Sequence, residues 1–183
     1  IRNWATSTIF DMPYKYAPPA LTDLNRDQRM AHGFDGANVD VLILTGCPGS
    51  GKTTVSMLRN GGRDCSKRHY AVYANLLRGY LINSAGQLNV PESFFSTFHS
   101  WLWSISGGWN PPADKPQYLG DELYAWFARW ARDQRQEYVE FTLDEGQDLP
   151  LHVRCALSHF TDTLVLSMDE AQDVRNECKG NEL

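Results

Sequence analysis

Basic charge is in short supply in this sequence. Lys and Arg number 17 against 22 Asp and Glu, leaving a net charge of −5. Proteins that hold nucleic acid by bulk charge are basic, so any such role here rests on a local groove. No apolar run approaches the ~18–20 residues of a membrane span, and no membrane partner is expected. The start, IRNWATSTIFDMP, lacks both an initiating Met and the basic, apolar, small-residue succession of a secretory signal. A trimmed fragment of a cytoplasmic protein is the expectation. Cys47, Cys65, Cys155 and Cys178 contain no CxxC pair. Cys65 and His69 suit a helical pair, but no second pair completes a zinc site, so reduced thiols are expected.

The organisation along the chain is regular. Residues 1–20 form an extended lead-in, with three prolines in DMPYKYAPP (11–19). Residues 21–183 are expected to be one domain. LTDLNRDQRMAHGF (21–34) suits a short helix, and VDVLILT (39–45) a strand buried on both faces of a parallel sheet. HYAVYA (69–74) suits a strand, NLLRGYLINS (75–84) a helix, and HSWLWSI another helix. A Gly/Pro loop at 107–120 precedes GDELYAWFARWARDQRQ (120–136), whose apolar residues recur with helical period. YVEFTL (138–143), LPLHVRCALSHF (149–160) and TLVLSM (163–168) complete strand, helix and strand. Alternating strands and helices predict an α/β fold, a parallel sheet flanked by helices, with ligands at the carboxyl ends of the strands.

GCPGSGKT (46–53) fits G-x-x-x-x-G-K-[ST] at every position, between a predicted strand and a predicted helix. Gly46, Pro48, Gly49, Ser50 and Gly51 are expected to curl backbone N–H groups around phosphates, together with the helix N-terminus at Thr53 and Thr54. Lys52 would reach the β- and γ-phosphates and Thr53 a Mg²⁺ ion. Two acidic pentads supply the carboxylates such a site needs: DEGQD (144–148) and DEAQD (169–173). The first is followed by a full helix and strand and the second by only ten residues, so chain order assigns the metal to Asp144. Glu145 then becomes the water-orienting base, and Asp169 and Gln172 lie at the next strand end, where a polar group can sense the γ-phosphate.

In order over about residues 20–175, these motifs resemble the first RecA-like domain of the UvrD/Rep-like superfamily 1 DNA helicases. LNRDQRMA (24–31) resembles the Q motif, implying that Gln28 reads the adenine edge. GCPGSGKTT resembles motif I, VYANLLRGYL (72–81) motif Ia, and TFHSWLW (97–103) part of motif Ib. LDEGQDLP resembles motif II, and LSMDEAQDV motif III, though Met168 replaces its glycine. The resemblance implies a RecA-like P-loop domain that binds ATP and Mg²⁺, single-stranded DNA along Asn75, Thr97, Phe98 and His99, and a second RecA-like domain in cis. That second domain lies beyond this chain, so the chain alone is expected to hydrolyse ATP slowly and not to unwind DNA. The segment at about 104–137 is a short helical insertion for this family.

Several of these residues have plainer readings. Phe98 alone suits a core ring and His99 a helix cap. Asn75 suits a DNA contact or a cap. Trp101 and Trp103, two apart on a helix, do not share a face; Trp109, in the Gly/Pro loop, is the exposed candidate for base stacking. Trp126 and Trp130 lie on an apolar stripe. Arg59, Arg63, Lys67 and Arg68 form the one local basic cluster, read as a solvated face or as a phosphate-backbone contact. Two other functions compete with a motor: a stand-alone ATP-gated binding module, and an unrelated small-molecule kinase, which has no use for a Q motif or a TFHS segment.

Overall fold

In the computed structural model, residues 18–34, 41–106, 121–134 and 137–169 are described. The expectations for Trp109, Glu170 and Gln172 lie outside them.

Among the described residues five strands form one sheet: β1 (Val41–Thr45), β2 (Arg68–Val72), β3 (Phe95–Thr97), β4 (Tyr138–Asp144) and β5 (Thr161–Met168). Their order is β1-β5-β4-β2-β3, and every pair is parallel. Between them run α1 (Arg26–Gly33), α2 (Lys52–Asn60), α3 (Asn75–Ala85), α4 (Phe98–Ile105), α5 (Asp121–Trp130) and α6 (Leu151–Leu157). The α/β class and the parallel sheet expected from the alternating pattern are present.

The pleat sorts each central strand onto two faces. Ala71, Phe141, Leu143, Leu164 and Leu166 pack on one face with Phe98, Trp101, Phe127, Val153 and Leu157 of α4, α5 and α6. Tyr70 and Val72 turn the other way, onto Met57 of α2 and Leu81 of α3. Val165 follows them toward Val55. Phe127 stacks on Phe160 with ring centroids 5.8 Å apart, and Trp101 meets Phe141 at 4.7 Å. Each such buried ring contributes roughly 1.5–3 kcal/mol. Helix α5, from the expected insertion, is therefore part of the main core.

Three expectations need correction. β1 is an edge strand rather than one buried on both faces. Among the described residues it pairs only with β5, and Val41 and Ile43 are 37% and 52% exposed. A continuous apolar run marks a strand but does not fix its place in the sheet. The helix expected over 21–34 is shorter: a single 3-10 turn, Leu21–Asp23, precedes α1, which begins after a capping box between Asn25 and Gln28. Arg59 is not solvated. It is 1% exposed, donates to the carbonyls of Ala31, His32 and Phe34, and pairs with Glu140 at 2.8 Å.

Candidate functional site

The strand register aligns the ends of the strands. Thr45 pairs with Met168, and Val72 with both Asp144 and Thr97. Neighbouring β4 and β2 lead into connections that leave in opposite directions, β4 toward β5 and β2 toward β3. In open sheets of parallel strands, ligands bind at the carboxyl ends beside such a reversal.

Residues 46–51 join β1 to α2. Gly49 and Gly51 take φ of 78° and 87°, a left-handed backbone that costs other residues roughly 1–2 kcal/mol. Gly51 is also the N-cap of α2. A Cβ at Gly51 would lie 2.8 Å from Gln28 Nε2, and one at Gly46 would lie 2.6 Å from Ser50 Oγ. The loop closes through Ser50 N–H to Cys47 O, and Lys52 Nζ donates to Gly46 O and Cys47 O at 2.6 and 3.1 Å. Pro48 and Gly49 are exposed, while Lys52, Thr53 and Thr54 are half-buried on the first turn of α2. The ammonium thus rests on acceptors within its own loop, which an anionic ligand can replace.

Gln28 sits against this loop. Its amide Nε2 donates to Ser50 O at 3.0 Å, and its Oε1 accepts the Asn25 N–H. Its side chain links the start of α1 to the loop. The expected contact with an adenine edge would have to be made beside these two bonds or in exchange for them.

Asp144, at the end of β4, is 1% exposed. Its Oδ2 accepts from the Tyr70 hydroxyl at 3.0 Å and its Oδ1 from the Glu145 N–H at 3.1 Å. Burial, then the nearby Asp144 charge, push the Tyr70 phenol well above its ordinary value, so it remains a donor. Glu145 has φ 56° and ψ 43°. A non-glycine residue held there stores on the order of 1–3 kcal/mol, and such residues cluster at functional sites. Close behind, a Cβ on Gly146 would lie 3.2 Å from Met168 Cγ, so the turn after β4 is packed against the end of β5.

Gln147 connects the two pentads. Its Nε2 donates to Glu145 Oε2, and its Oε1 accepts the Asp169 N–H at 3.0 Å. Asp169 is buried at the end of β5. The first residues of the two pentads, Asp144 and Asp169, thus stand at the ends of neighbouring strands, and one amide that holds the Glu145 carboxylate also binds the Asp169 N–H. Gln147 was expected to anchor the loop after β4, but its bond to the end of β5 was not, and Tyr70 escaped the motif reading altogether. A tyrosine in an apolar strand carries no signal until its neighbour across the sheet is known.

The expected polymer-contacting residues divide. Asn75 is exposed as the first residue of α3; Ala74 is the N-cap and no side chain caps the helix, which removes the capping alternative. Thr97 caps α4 by accepting the Ser100 N–H at 3.1 Å. Phe98 is fully buried and supports the segment from within the core, a correction to its expected ligand contact. His99 is half-buried beside Tyr73, with Nε2 3.2 Å from the Tyr124 hydroxyl. Trp101 is core and Trp103 is 46% exposed, as their spacing requires.

The opposite end of the sheet is different. An open cleft of about 640 Å³ there is lined by Gly33, Arg63, Asp64, Lys67, Arg68 and Val139, none of them from the 46–53 segment. Arg68 in this cleft pairs with Glu140 at 3.1 Å.

Compared with known proteins, the chain matches no protein-family model and no curated protein.

Proposed function

We propose that this chain is the ATP-binding and ATP-hydrolysing half of a UvrD/Rep-like superfamily 1 DNA helicase, with a RecA-like fold. One observation carries the reading. A GCPGSGKT loop leads into α2 at the same sheet edge where buried Asp144 and left-handed Glu145 end β4. Phosphoryl transfer from a nucleoside triphosphate is mostly positioning and charge stabilisation, and these residue types meet both needs.

In the proposed reaction, residues 46–51 and the N-terminus of α2 cradle the phosphates through backbone N–H groups. Lys52 leaves its loop carbonyls to offset charge on the β- and γ-phosphates. Glu145 orients the attacking water, and Gln147 holds the Glu145 carboxylate. Thr53 and Asp144 would hold Mg²⁺, which would supply positive charge to offset that of the phosphates. The donors fit that ion. Mg²⁺ favours oxygen, takes one or two carboxylates, and fills its shell with water and phosphate. Among the described residues each Asp144 oxygen accepts one hydrogen bond, and a carboxylate offers about four acceptor sites. A second RecA-like domain would complete the motor. What supports single-stranded DNA as the polymer is the order of the motifs, with exposed Asn75 and half-buried His99 on segments at the same edge.

The test pairs two variants with two readouts. Glu145→Gln is expected to lower ATP hydrolysis roughly 10²–10⁴-fold while ATP binding persists. Glu170→Gln should leave most of the turnover. The reverse pattern would assign the chemistry to the second pentad. Oligothymidine binding that shifts with a non-hydrolysable ATP analogue supports the helicase; none at low salt favours a nucleotide-gated module.

A further inference from the structure

We infer that Tyr70 is a positioning residue for the cation side of this site: its hydroxyl holds Asp144 so that the carboxylate meets a divalent ion in one orientation. The inference rests on the proposed role of Asp144 as the metal-side carboxylate. Tyr70 stands on β2, opposite Thr142 of β4 and on the same sheet face as Asp144. It is completely buried. Phe94 and Phe95 lie against its ring at centroid distances of 6.2 and 5.4 Å, so the hydroxyl is delivered from a fixed place.

The terminal torsion of an aspartate is broad and roughly two-fold. Left alone, the Asp144 carboxylate plane would be weakly defined. Two donors from different directions remove that freedom: Tyr70 OH at Oδ2 and Glu145 N–H at Oδ1. Each oxygen keeps acceptor capacity for the ion or for its waters. Packing alone does not call for the hydroxyl, because phenylalanine fills nearly the same volume. Outer partners of this kind orient metal ligands, and their loss typically costs about 10- to 100-fold in metal affinity.

The test follows a fluorescent ATP analogue titrated with Mg²⁺, using wild type, Tyr70→Phe and Asp144→Asn. Tyr70→Phe is expected to bind metal-free nucleotide as wild type does, yet to need about 10- to 100-fold more Mg²⁺ for the metal-dependent change. A merely structural tyrosine would move both binding steps together or neither. If wild type responds to Mg²⁺, Asp144→Asn does not, and Tyr70→Phe matches wild type, the inference falls and the site reading stands. If wild type shows no Mg²⁺ response, both fall. Should Tyr70→Phe fail to fold, 3-fluorotyrosine at position 70 keeps the donor and reports by ¹⁹F NMR. Its resonance should shift with Mg²⁺ and nucleotide together but not with nucleotide alone, and an unmoved resonance overturns the inference.

Discussion

The two ends of the one sheet hold the cations of α2 in opposite ways. At the amino end, Arg59 and Glu140 form a buried ion pair joined by half-buried Arg68, and Arg59 also gathers three carbonyls at the end of α1. His69 lies nearby among Phe94, Trp101, Tyr138 and Phe141, with Nε2 2.7 Å from Ser96 Oγ. At the carboxyl end, Lys52 is only half-buried and holds two carbonyls of its own loop, while Glu145 and two glycines adopt left-handed backbone. Lys52 and Arg59 are seven residues apart on the same helix, yet one is replaceable in its contacts and the other is locked. Polar capacity committed to the fold stabilises it; capacity held in exchangeable local bonds stays available to a ligand.

The largest expected effect comes from breaking the locked end. Arg59→Ala leaves Glu140 paired with Arg68 alone and strips a donor from three carbonyls, so urea unfolding should show a loss of about 3–5 kcal/mol. A loss below about 1 kcal/mol would show that Arg68 and water replace it.

Next in size is a dependence on pH. Burial lowers His69 from its ordinary 6.5 to about 4, because the fold disfavours the charged ring. The unfolded chain therefore binds the proton first. The stability due to neutral His69 is present in full above pH 6.5 and declines as pH falls toward 4, by on the order of 3 kcal/mol. His69→Gln should flatten that part of the stability profile relative to wild type. Parallel profiles for the two proteins would refute a buried, neutral His69.

Smallest on stability is Lys52→Ala, expected within about 1 kcal/mol of wild type because its partners are partly exposed loop carbonyls. Nucleotide affinity should nevertheless fall roughly 10- to 100-fold, the scale of a lost hydrogen bond to a charged group. Equal destabilisation by Lys52→Ala and Arg59→Ala would erase the contrast between the two ends.

Much of this contrast could be anticipated at the carboxyl end and little of it at the amino end. GCPGSGKT and DEGQD are contiguous strings whose spacing reports local backbone needs, so Lys52, Asp144 and Glu145 were legible one by one. Arg59 and Glu140 are 81 positions apart, and each alone reads as an ordinary surface charge. Likewise, the run 39–45 announced a strand but not that β1 would lie at an edge, since edge or centre depends on where other strands arrive.

By itself the sequence determined the alternation of strands and helices, the loop between β1 and α2, and the two acidic strand ends. These follow from apolar periodicity and from residues whose backbone preferences act locally. Only the tertiary structure decided that Tyr70 would hold Asp144, that Gln147 would join the two pentads, and that Arg59 would be buried with Glu140. Each of those bonds spans strands or helices brought together by sheet order, and a hydrogen bond forms only where donor and acceptor finally meet.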